Sequence, residues 1–266
     1  MKRWRYTPAN DLDQTMAERL RNFPREPDML VYTLRSLVAV VIRAALRIYH
    51  RFEISGAEHL PRDGSFVLVA NHSSHLDTVC LLAALPFRQL HRAFPAAAAD
   101  YFFQSVPRTW VASIVVNALP FARNAQVRQS LNICGELLAN PGNVLIIFPE
   151  GTRSRDGAVQ QFKSGIGALV AGRDVNVLPC YLAGASRVWP KGQSLPRPGK
   201  VRLIIGPPRN FAARTADKAG ISAIASELRT AVVELGQIHD RRHAHDEELR
   251  RRGTVLPLVD SGKADG

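Results

Sequence analysis

A histidine and an aspartate stand close together where one apolar segment of the chain ends and the next begins. In the stretch VLVANHSSHLDTVCLL the first apolar run stops at Asn71 and His72, and Asp77 follows before the chain becomes apolar again. A carboxylate that accepts a hydrogen bond from one imidazole nitrogen fixes the ring tautomer and leaves the other nitrogen free as a general base. His72 and Asp77 therefore predict base catalysis on a substrate that brings its own hydroxyl group.

The same stretch of sequence also fits a purely structural pattern. A serine followed three residues later by an acid, as in Ser74 to Asp77, is a capping box that satisfies backbone N–H groups at a helix start. If the helix begins near Ser73 or Ser74, Asp77 lies in its first turn and His75 is expected to be an exposed helix residue. This segment alone leaves catalysis and capping both open.

A second polar cluster follows another apolar run. Glu150, Gly151, Thr152 and Arg153 come directly after NVLIIFP, and Lys163 opens a glycine-rich helical pattern, FKSGIGALVAG. An arginine beside a glycine at a strand end, and a lysine at a helix N-terminus, suit the binding of a phosphate group. The sequence therefore predicts a phosphate site in this turn.

Together, the two clusters resemble the sequence blocks of a known family. NHSSHLD and FPEGTRS, with His72 and Glu150 78 residues apart, resemble the two main blocks of the lysophosphatidic acid acyltransferase family of glycerolipid acyltransferases. Three weaker matches agree: LPFAR ends at Arg123, FKSG contains Lys163, and VLPCYLAGA is centred on Pro179.

The resemblance implies an α/β fold, with a single mixed, mostly parallel sheet flanked by helices. It implies transfer of a fatty acyl group from a thioester, either acyl-CoA or acyl carrier protein, to a hydroxyl of a lysophospholipid, foremost 1-acylglycerol 3-phosphate. His72 would take the hydroxyl proton and Asp77 would orient His72. The donors to the developing oxyanion stay open, with backbone N–H groups near Gly151 as one candidate. No metal and no cofactor besides the thioester are expected. The residues implied to bind or shape the substrate site are Arg123, Glu150, Gly151, Thr152, Arg153, Lys163 and Pro179.

Two departures from the family pattern leave the acceptor open. The block that ends at Arg123 reads NALPFAR, without the usual leading glycine, and residues 96–104 hold no basic residue where many members carry a phosphate-binding lysine. A lysophospholipid with a larger headgroup, or a lipid without phosphate, is the alternative acceptor. A catalytically inactive basic membrane-binding module is the alternative of a different class, and no motif indicates nucleic acid binding.

Alternating strand and helix patterns position both clusters. Such alternation is typical of α/β proteins, in which sites gather at the carboxyl ends of strands. We interpret 1–50 as a polar arm and a membrane-interface helix, 51–236 as the acyltransferase domain, and 237–266 as a charged, partly disordered extension, helical at first and ending in a disordered tail. The predicted strands are 51–55, 65–70, 143–148, 176–184 and 200–205, and the predicted helices 75–84, 125–140, 163–172 and 217–236.

Charge and the N-terminal helix indicate a membrane partner. The net charge is +12, and the stretch from Arg187 to Arg209 contains six basic residues and no acid. Residues 29–49 predict a helix that lies in the membrane interface with its three arginines at headgroup level, or else one that packs on the domain. No run reaches the roughly 18 apolar residues of a membrane span. We therefore predict a peripheral protein on the cytoplasmic face of the membrane, where the same basic surface could also recruit an acidic acyl carrier protein.

Overall fold

A computed structural model describes residues 29–98, 116–121, 127–190, 192–193 and 195–251. The predictions for the arm 1–28, for Arg123 and for the tail beyond 251 lie outside these residues. In chain order the elements are α1 (Met29–Tyr49), β1 (Glu53–Ser55), β2 (Phe66–Ala70), α2 (Leu76–Ala84), α3 (Phe87–Leu90), β3 (Ala93–Ala98), β4 (Leu119–Phe121), α4 (Val127–Ala139), β5 (Val144–Ile147), α5 (Gly165–Val170), β6 (Asn176–Ala183), α6 (Ala185–Val188), β7 (Arg202–Ile205), β8 (Arg209–Asn210) and α7 (Lys218–Arg251).

One mixed, mostly parallel sheet forms the centre of the molecule, as predicted. Its strand order is β1-β7-β6-β2-β5-β3-β4, with β8 beside β6, and β6 runs antiparallel to β7 and β8. β2 lies between β5 and β6 and is parallel to both, with Val67 opposite Leu145 and Val177. The carboxyl ends of β2 and β5 therefore meet at one edge of the sheet, which brings together the two polar clusters that follow them.

Helices cover both faces of the sheet, because the central strands are apolar on both sides. Alternate β2 residues divide between two core clusters: Phe66 and Leu68 pack on the side of α1 and α2, whereas Val67 and Val69 pack on the side of α4, α5 and α7. All five β2 side chains are buried. Burial on both faces explains why the strand reads as a continuous apolar run.

The structure departs from the predicted elements mainly at one helix start and in two strands that were not predicted. The predicted helix at 75–84 begins at Leu76, later than the start near Ser73 or Ser74, because the preceding backbone N–H groups bind Asp77 instead. β3 and β4 were not predicted, since alanine and proline are poor strand formers and only pairing in the sheet holds them extended. The final helix α7 runs from Lys218 to Arg251, so the predicted helix 217–236 and the helical extension expected after it form one continuous helix.

The helix α1 packs on the domain through the arginines that were expected at a membrane surface. Arg35 is buried and donates to Asn117 Oδ1 at 3.1 Å, while Arg43 donates to the carbonyl of Leu85 and lies 3.9 Å from the Phe87 ring centroid. These two arginines therefore point inward, which contradicts the expected placement. Only the third, Arg47, is exposed.

Turning the arginines inward leaves an apolar surface outside. Four side chains, here called the outer stripe, follow helical spacing and are 40–80% exposed: Leu34, Leu37, Val41 and Ile48. By length and composition, the 21-residue helix could also cross a membrane. The prediction that no apolar run is long enough for a membrane span was therefore wrong. The inward polar contacts of the helix nevertheless hold it against the domain.

Candidate active site

Asn71 fixes the end of β2 in the sheet. Its side-chain amide donates to the Leu182 carbonyl at 3.2 Å and accepts the Leu182 N–H at 2.8 Å. This pair of bonds replaces the ladder where β2 stops, and the Asn71 side chain is buried. The next residue, His72, therefore leaves the sheet in a defined direction.

Asp77 orients the imidazole of His72. His72 Nδ1 lies 2.9 Å from Asp77 Oδ2, and the aspartate is fully buried. Since a carboxylate oxygen accepts hydrogen bonds, Nδ1 carries the proton in the neutral ring and Nε2 keeps its lone pair. The ring also stacks on Phe148, with centroids 4.1 Å apart. This arrangement can remove a proton from a hydroxyl group presented to Nε2.

The same carboxylate oxygen also organises the start of α2. Oδ2 accepts the backbone N–H groups of Ser73 at 2.6 Å and Ser74 at 2.7 Å. Ser74 Oγ accepts the N–H of Leu76 at 3.2 Å. The capping role and the histidine-orienting role of Asp77 are therefore both present.

The turn after β5 holds the backbone of His72 from both sides. Glu150 Oε1 accepts the His72 N–H at 3.1 Å, and the Ser154 N–H donates to the His72 carbonyl at 2.8 Å. Burial raises the pKa of Glu150 to about 7, and hydrogen bonds from the backbone of His72 and Gln160 oppose that rise. Glu150 acts on the histidine through its backbone rather than through its ring.

Gly151 lets Lys163 pack over the turn. Its φ is +75°, and a Cβ at this position would lie 2.6 Å from Lys163 Nζ. Its N–H donates to the Phe148 carbonyl at 3.1 Å. That N–H is thus engaged within the turn, which leaves other N–H groups near Gly151 as the candidates for an oxyanion contact.

Arg153 places a positive charge near His75. Burial lowers the pKa of His75, and the charge of Arg153 lowers it further. Arg153 Nη1 and Ser154 Oγ are buried and have no hydrogen-bond partner in the described part of the chain. Two such unpaired donors, one of them on the cationic side chain of Arg153, suit an anionic ligand.

An apolar cavity of about 250 Å³ opens next to His72. Lys163 and Gly151 lie at its polar side, and its apolar wall comes from β3, β4, β5 with the residue that follows it, α4 and α5. The side chains of that wall are Ala96, Phe121, Val127, Leu131, Ile147, Phe148 and Ile166. The cavity thus joins a hydrocarbon-lined space to the histidine.

Not every predicted site residue reaches this cluster. Thr152 is exposed, and Pro179 is buried within β6, opposite Val69 of β2. Arg123 lies outside the described residues. His75 was expected to be exposed, but it is half-buried, because its ring lies 5.1 Å from the ring of Trp189.

Sequence reasoning missed three contributors to the site. Asn71 and Ser154 stand inside the recognised blocks, so their position next to His72 and Arg153 was an available signal. Phe148 also ends the second strand run, but its stacking on His72 depends on how β2 and β5 pair. Among the residues that the structure describes, no group of three or more His, Cys, Asp or Glu side chains could hold a metal ion.

The fold and the site define a class of protein: an α/β acyltransferase with a His–Asp pair at the carboxyl end of its central strand. The acyltransferase family model matches residues 51–183, half of the chain, and the chain belongs to that family. The family resemblance drawn from the two motif blocks is confirmed.

Known proteins support this membership. The chain is 34% identical over 172 residues to a chloroplastic 1-acyl-sn-glycerol-3-phosphate acyltransferase of Arabidopsis thaliana, covering 62% of this chain and 46% of the relative. It is 28% identical to the 1-acyl-sn-glycerol-3-phosphate acyltransferase of Bacillus subtilis, covering 74% of this chain and 92% of that one. The chain thus spans about half the length of its chloroplast relatives.

A solved structure shares the fold. The crystal structure of the 1-acyl-sn-glycerophosphate (LPA) acyltransferase PlsC from Thermotoga maritima superposes with a TM-score of 0.59 at 24% identity. The match covers 83% of this chain and 87% of that chain. It supports the single sheet and its flanking helices.

Proposed function

We propose that this protein transfers a fatty acyl group from a thioester to the free hydroxyl of 1-acylglycerol 3-phosphate or a closely similar lysophospholipid. The observation that carries the proposal is the 2.9 Å contact between His72 Nδ1 and Asp77 Oδ2 at the edge of an apolar cavity. The names of the relatives favour this acceptor over a lipid without phosphate.

In the proposed reaction, His72 Nε2 takes the proton of the acceptor hydroxyl as its oxygen attacks the thioester carbonyl. The new C–O bond forms, the C–S bond breaks, and the protonated imidazole returns the proton to the departing thiolate. Asp77 stabilises the imidazolium through Nδ1 during the step. The acceptor is the nucleophile, so no acyl-enzyme is required and the buried thiol of Cys80 takes no part.

Substrate binding follows the two sides of the cavity. The apolar wall suits an acyl chain, since burial of each methylene contributes about 0.8 kcal/mol. Lys163, at the polar side of the cavity, and the unpaired Arg153 Nη1, in the turn that contains Gly151, are the proposed ligands of the acceptor phosphate. Arg123 remains a proposed third phosphate ligand on the strength of the LPFAR block.

The protein is proposed to work on a membrane surface without crossing it. The outer stripe of α1 would enter the acyl region of the cytoplasmic leaflet, while Arg35 and Arg43 hold the helix against the domain. Anionic lipid would be the surface partner. Acyl carrier protein is retained as one of the two candidate donors.

The test is an acyl-transfer assay with purified full-length protein, a panel of lysolipids, and both acyl-CoA and acylated carrier protein. We expect turnover with lysophosphatidate, and a loss of about 10²–10⁴-fold in kcat for His72→Ala. Asp77→Asn should also lower kcat strongly, while the exposed His245→Ala is the matched surface control. Near-normal turnover by folded His72→Ala protein would refute the mechanism, and no turnover by the parent with any lysolipid would favour an inactive membrane-binding module.

A further inference from the structure

The loop 189–199, between α6 and β7, meets the end of α1 on the protein surface. Its Leu195 is 78% exposed, and the neighbouring Pro196 carbonyl accepts the Tyr49 hydroxyl at 3.4 Å. Ile48, beside Tyr49, is 80% exposed. Leu195 and Ile48 each stand one residue from this contact, so the loop continues the apolar surface of the outer stripe.

The beginning of the same loop holds the catalytic segment. Ser74 Oγ donates to the Trp189 carbonyl at 2.7 Å, and Ser74 and Pro190 form an antiparallel bridge. The Trp189 ring also lies against the ring of His75. One short loop therefore connects the end of α1 to the residues that follow His72.

Two hydrogen bonds involve described residues of the loop, which leave out 191 and 194. Trp189 Nε1 donates to the Gln193 carbonyl at 2.9 Å, and the Arg197 N–H donates to the Val188 carbonyl at 2.8 Å. The second of these bonds ties the later part of the loop to the last residue of α6. Leu195 consequently projects from a structured base.

Only part of the basic stretch 187–209 is available to an external anion. Lys200 and Arg202 both pair with Glu53, and Arg209 pairs with Glu227. Arg187 and Arg197 are exposed and make no ion pair within the described residues. The unneutralised charge thus lies at the loop that carries Leu195.

We propose that the loop 189–199 is a second lipid contact, in which Leu195 inserts beside Ile48 while Arg187 and Arg197 contact anionic headgroups. An exposed apolar side chain next to cations and a tryptophan is the composition of a membrane-interface segment. Because the loop also contacts Ser74 and His75, its binding to the membrane would bring the segment around His72 close to the bilayer surface. A lipid acceptor then reaches His72 without leaving the membrane. This last step rests on the proposed function, because it takes the acceptor to be a lipid.

The first experiment places an environment-sensitive fluorophore on single introduced cysteines of the full chain. The native Cys80, Cys134 and Cys180 are buried, and burial raises the pKa of each thiol, so labelling is selective. Leu195→Cys tests the loop, Leu37→Cys reports on α1, and Ile238→Cys, exposed on α7, is the matched control.

With phosphatidylglycerol vesicles, the label at 195 should shift to the blue and be quenched by lipid-attached nitroxide, while the label at 238 should stay water-like. Neutral phosphatidylcholine vesicles should produce a weaker shift at 195. A water-like label at 195, with or without insertion at 37, overturns the proposal. Equal insertion at 195 and 238 overturns it as well, because the contact would then be non-specific.

The second experiment separates this inference from the proposed function. Leu195→Asp should raise the apparent KM for a long-chain lysophosphatidate in vesicles by about 10-fold or more, as lost burial of one leucine predicts. A short-chain, water-soluble lysophosphatidate should be turned over at the parent rate. Equal loss on both acceptors, or no change on either, overturns the loop proposal. Failure of the parent protein to turn over any acceptor would instead refute the proposed function, and the fluorescence result would still decide the loop.

Discussion

Asp77 Oδ2 accepts hydrogen bonds from three donors, one on the His72 ring and two on the backbone of Ser73 and Ser74. The two backbone bonds hold the carboxylate in place before any substrate arrives. In the proposed proton transfer, such preorganisation would lower the cost of orienting the imidazole. Helix capping and orientation of the histidine are thus one arrangement. The carboxylate that binds the backbone at the start of α2 is the one that holds the His72 ring.

Arg153 is the residue at which acceptor binding can be tested. Arg153→Ala should raise the KM for lysophosphatidate by about 10–100-fold, the range for loss of a charged hydrogen bond, and leave the donor KM nearly unchanged. Arg153→Lys should recover only part, since a lysine lacks the planar fork of donors. Steady-state kinetics with each substrate varied in turn measures this.

The neighbouring Arg155 is exposed and supplies the control for this prediction. Arg155→Ala should leave both KM values close to those of the parent. If Arg153→Ala changes donor and acceptor KM equally, Arg153 supports the site rather than binding the phosphate.

Glu150 should make stability depend on pH near neutrality. Its pKa is raised from 4.5 to about 7 in the folded chain, so the folded state binds the proton more tightly. The stabilisation from this proton is complete below pH 4.5 and is lost as the pH rises through 7. The loss is up to about 3 kcal/mol of unfolding free energy.

Denaturant unfolding of the parent and of Glu150→Gln, from pH 5 to well above 7, checks this effect. The variant keeps an oxygen that can accept the His72 N–H but cannot titrate. The parent should therefore lose stability relative to the variant as the pH rises. A stability difference that stays constant across this range would contradict the raised pKa.

At the scale of elements, α1 shows how one helix can serve two environments. Arg35 and Arg43 turn toward carbonyl and amide groups of the domain, and the aliphatic side chains of the outer stripe turn outward. Buried guanidinium groups require such partners, whereas exposed leucines do not, so the polar contacts decide which face points inward. The apolar outer stripe is the consequence.

Arg43 should therefore contribute to stability although it stands on an N-terminal helix. Arg43→Ala removes the hydrogen bond to the Leu85 carbonyl and the contact with the Phe87 ring. We expect a loss of about 2 kcal/mol in the free energy of unfolding. Arg47→Ala, on the exposed side of the same helix, should change it by less than about 0.5 kcal/mol. Equal effects of the two substitutions in denaturant unfolding would show that Arg43 does not hold the helix.

At the scale of the whole molecule, α7 packs closely on α5, the helix that lines one side of the cavity. A Cβ on Gly167 of α5 would lie 2.1 Å from the carbonyl oxygen of Ile221 in α7. The two backbones approach this closely only because the side chain is absent. α5 also provides Gly165 and Ile166 to the cavity, so α7 indirectly sets the cavity's shape.

Gly167→Ala should accordingly lower the free energy of unfolding by about 2–3 kcal/mol, as overpacking against a backbone predicts. Gly165→Ala is the matched control, since its Cβ would lie 3.9 Å from the Leu131 methyl groups, an ordinary contact. Thermal and denaturant unfolding of both variants measures the difference. Similar stability of the two variants would mean that α7 moves away from α5 at little cost.

The sequence by itself determined the chemical groups and the edge of the sheet at which they gather. NHSSHLD and FPEGTRS each follow an apolar run, and parallel pairing of β2 with β5 brings the two blocks to one place. Residue type and local periodicity carry this information, because a strand buried on both faces reads as an unbroken apolar run. The helix and strand alternation followed from the same local patterns.

Only the tertiary structure decided which groups touch and which face of each element points outward. The bond between Glu150 and the His72 backbone joins residues 78 apart, and that between Ser74 and Trp189 joins residues 115 apart. β3, rich in alanine, is a strand because β5 and β4 pair with it. Long-range pairing and burial set these contacts, and their energies depend on neighbours that are distant in the chain. For the same reason Arg35 and Arg43 of α1 turn inward, although the helical spacing of the arginines was visible in the sequence.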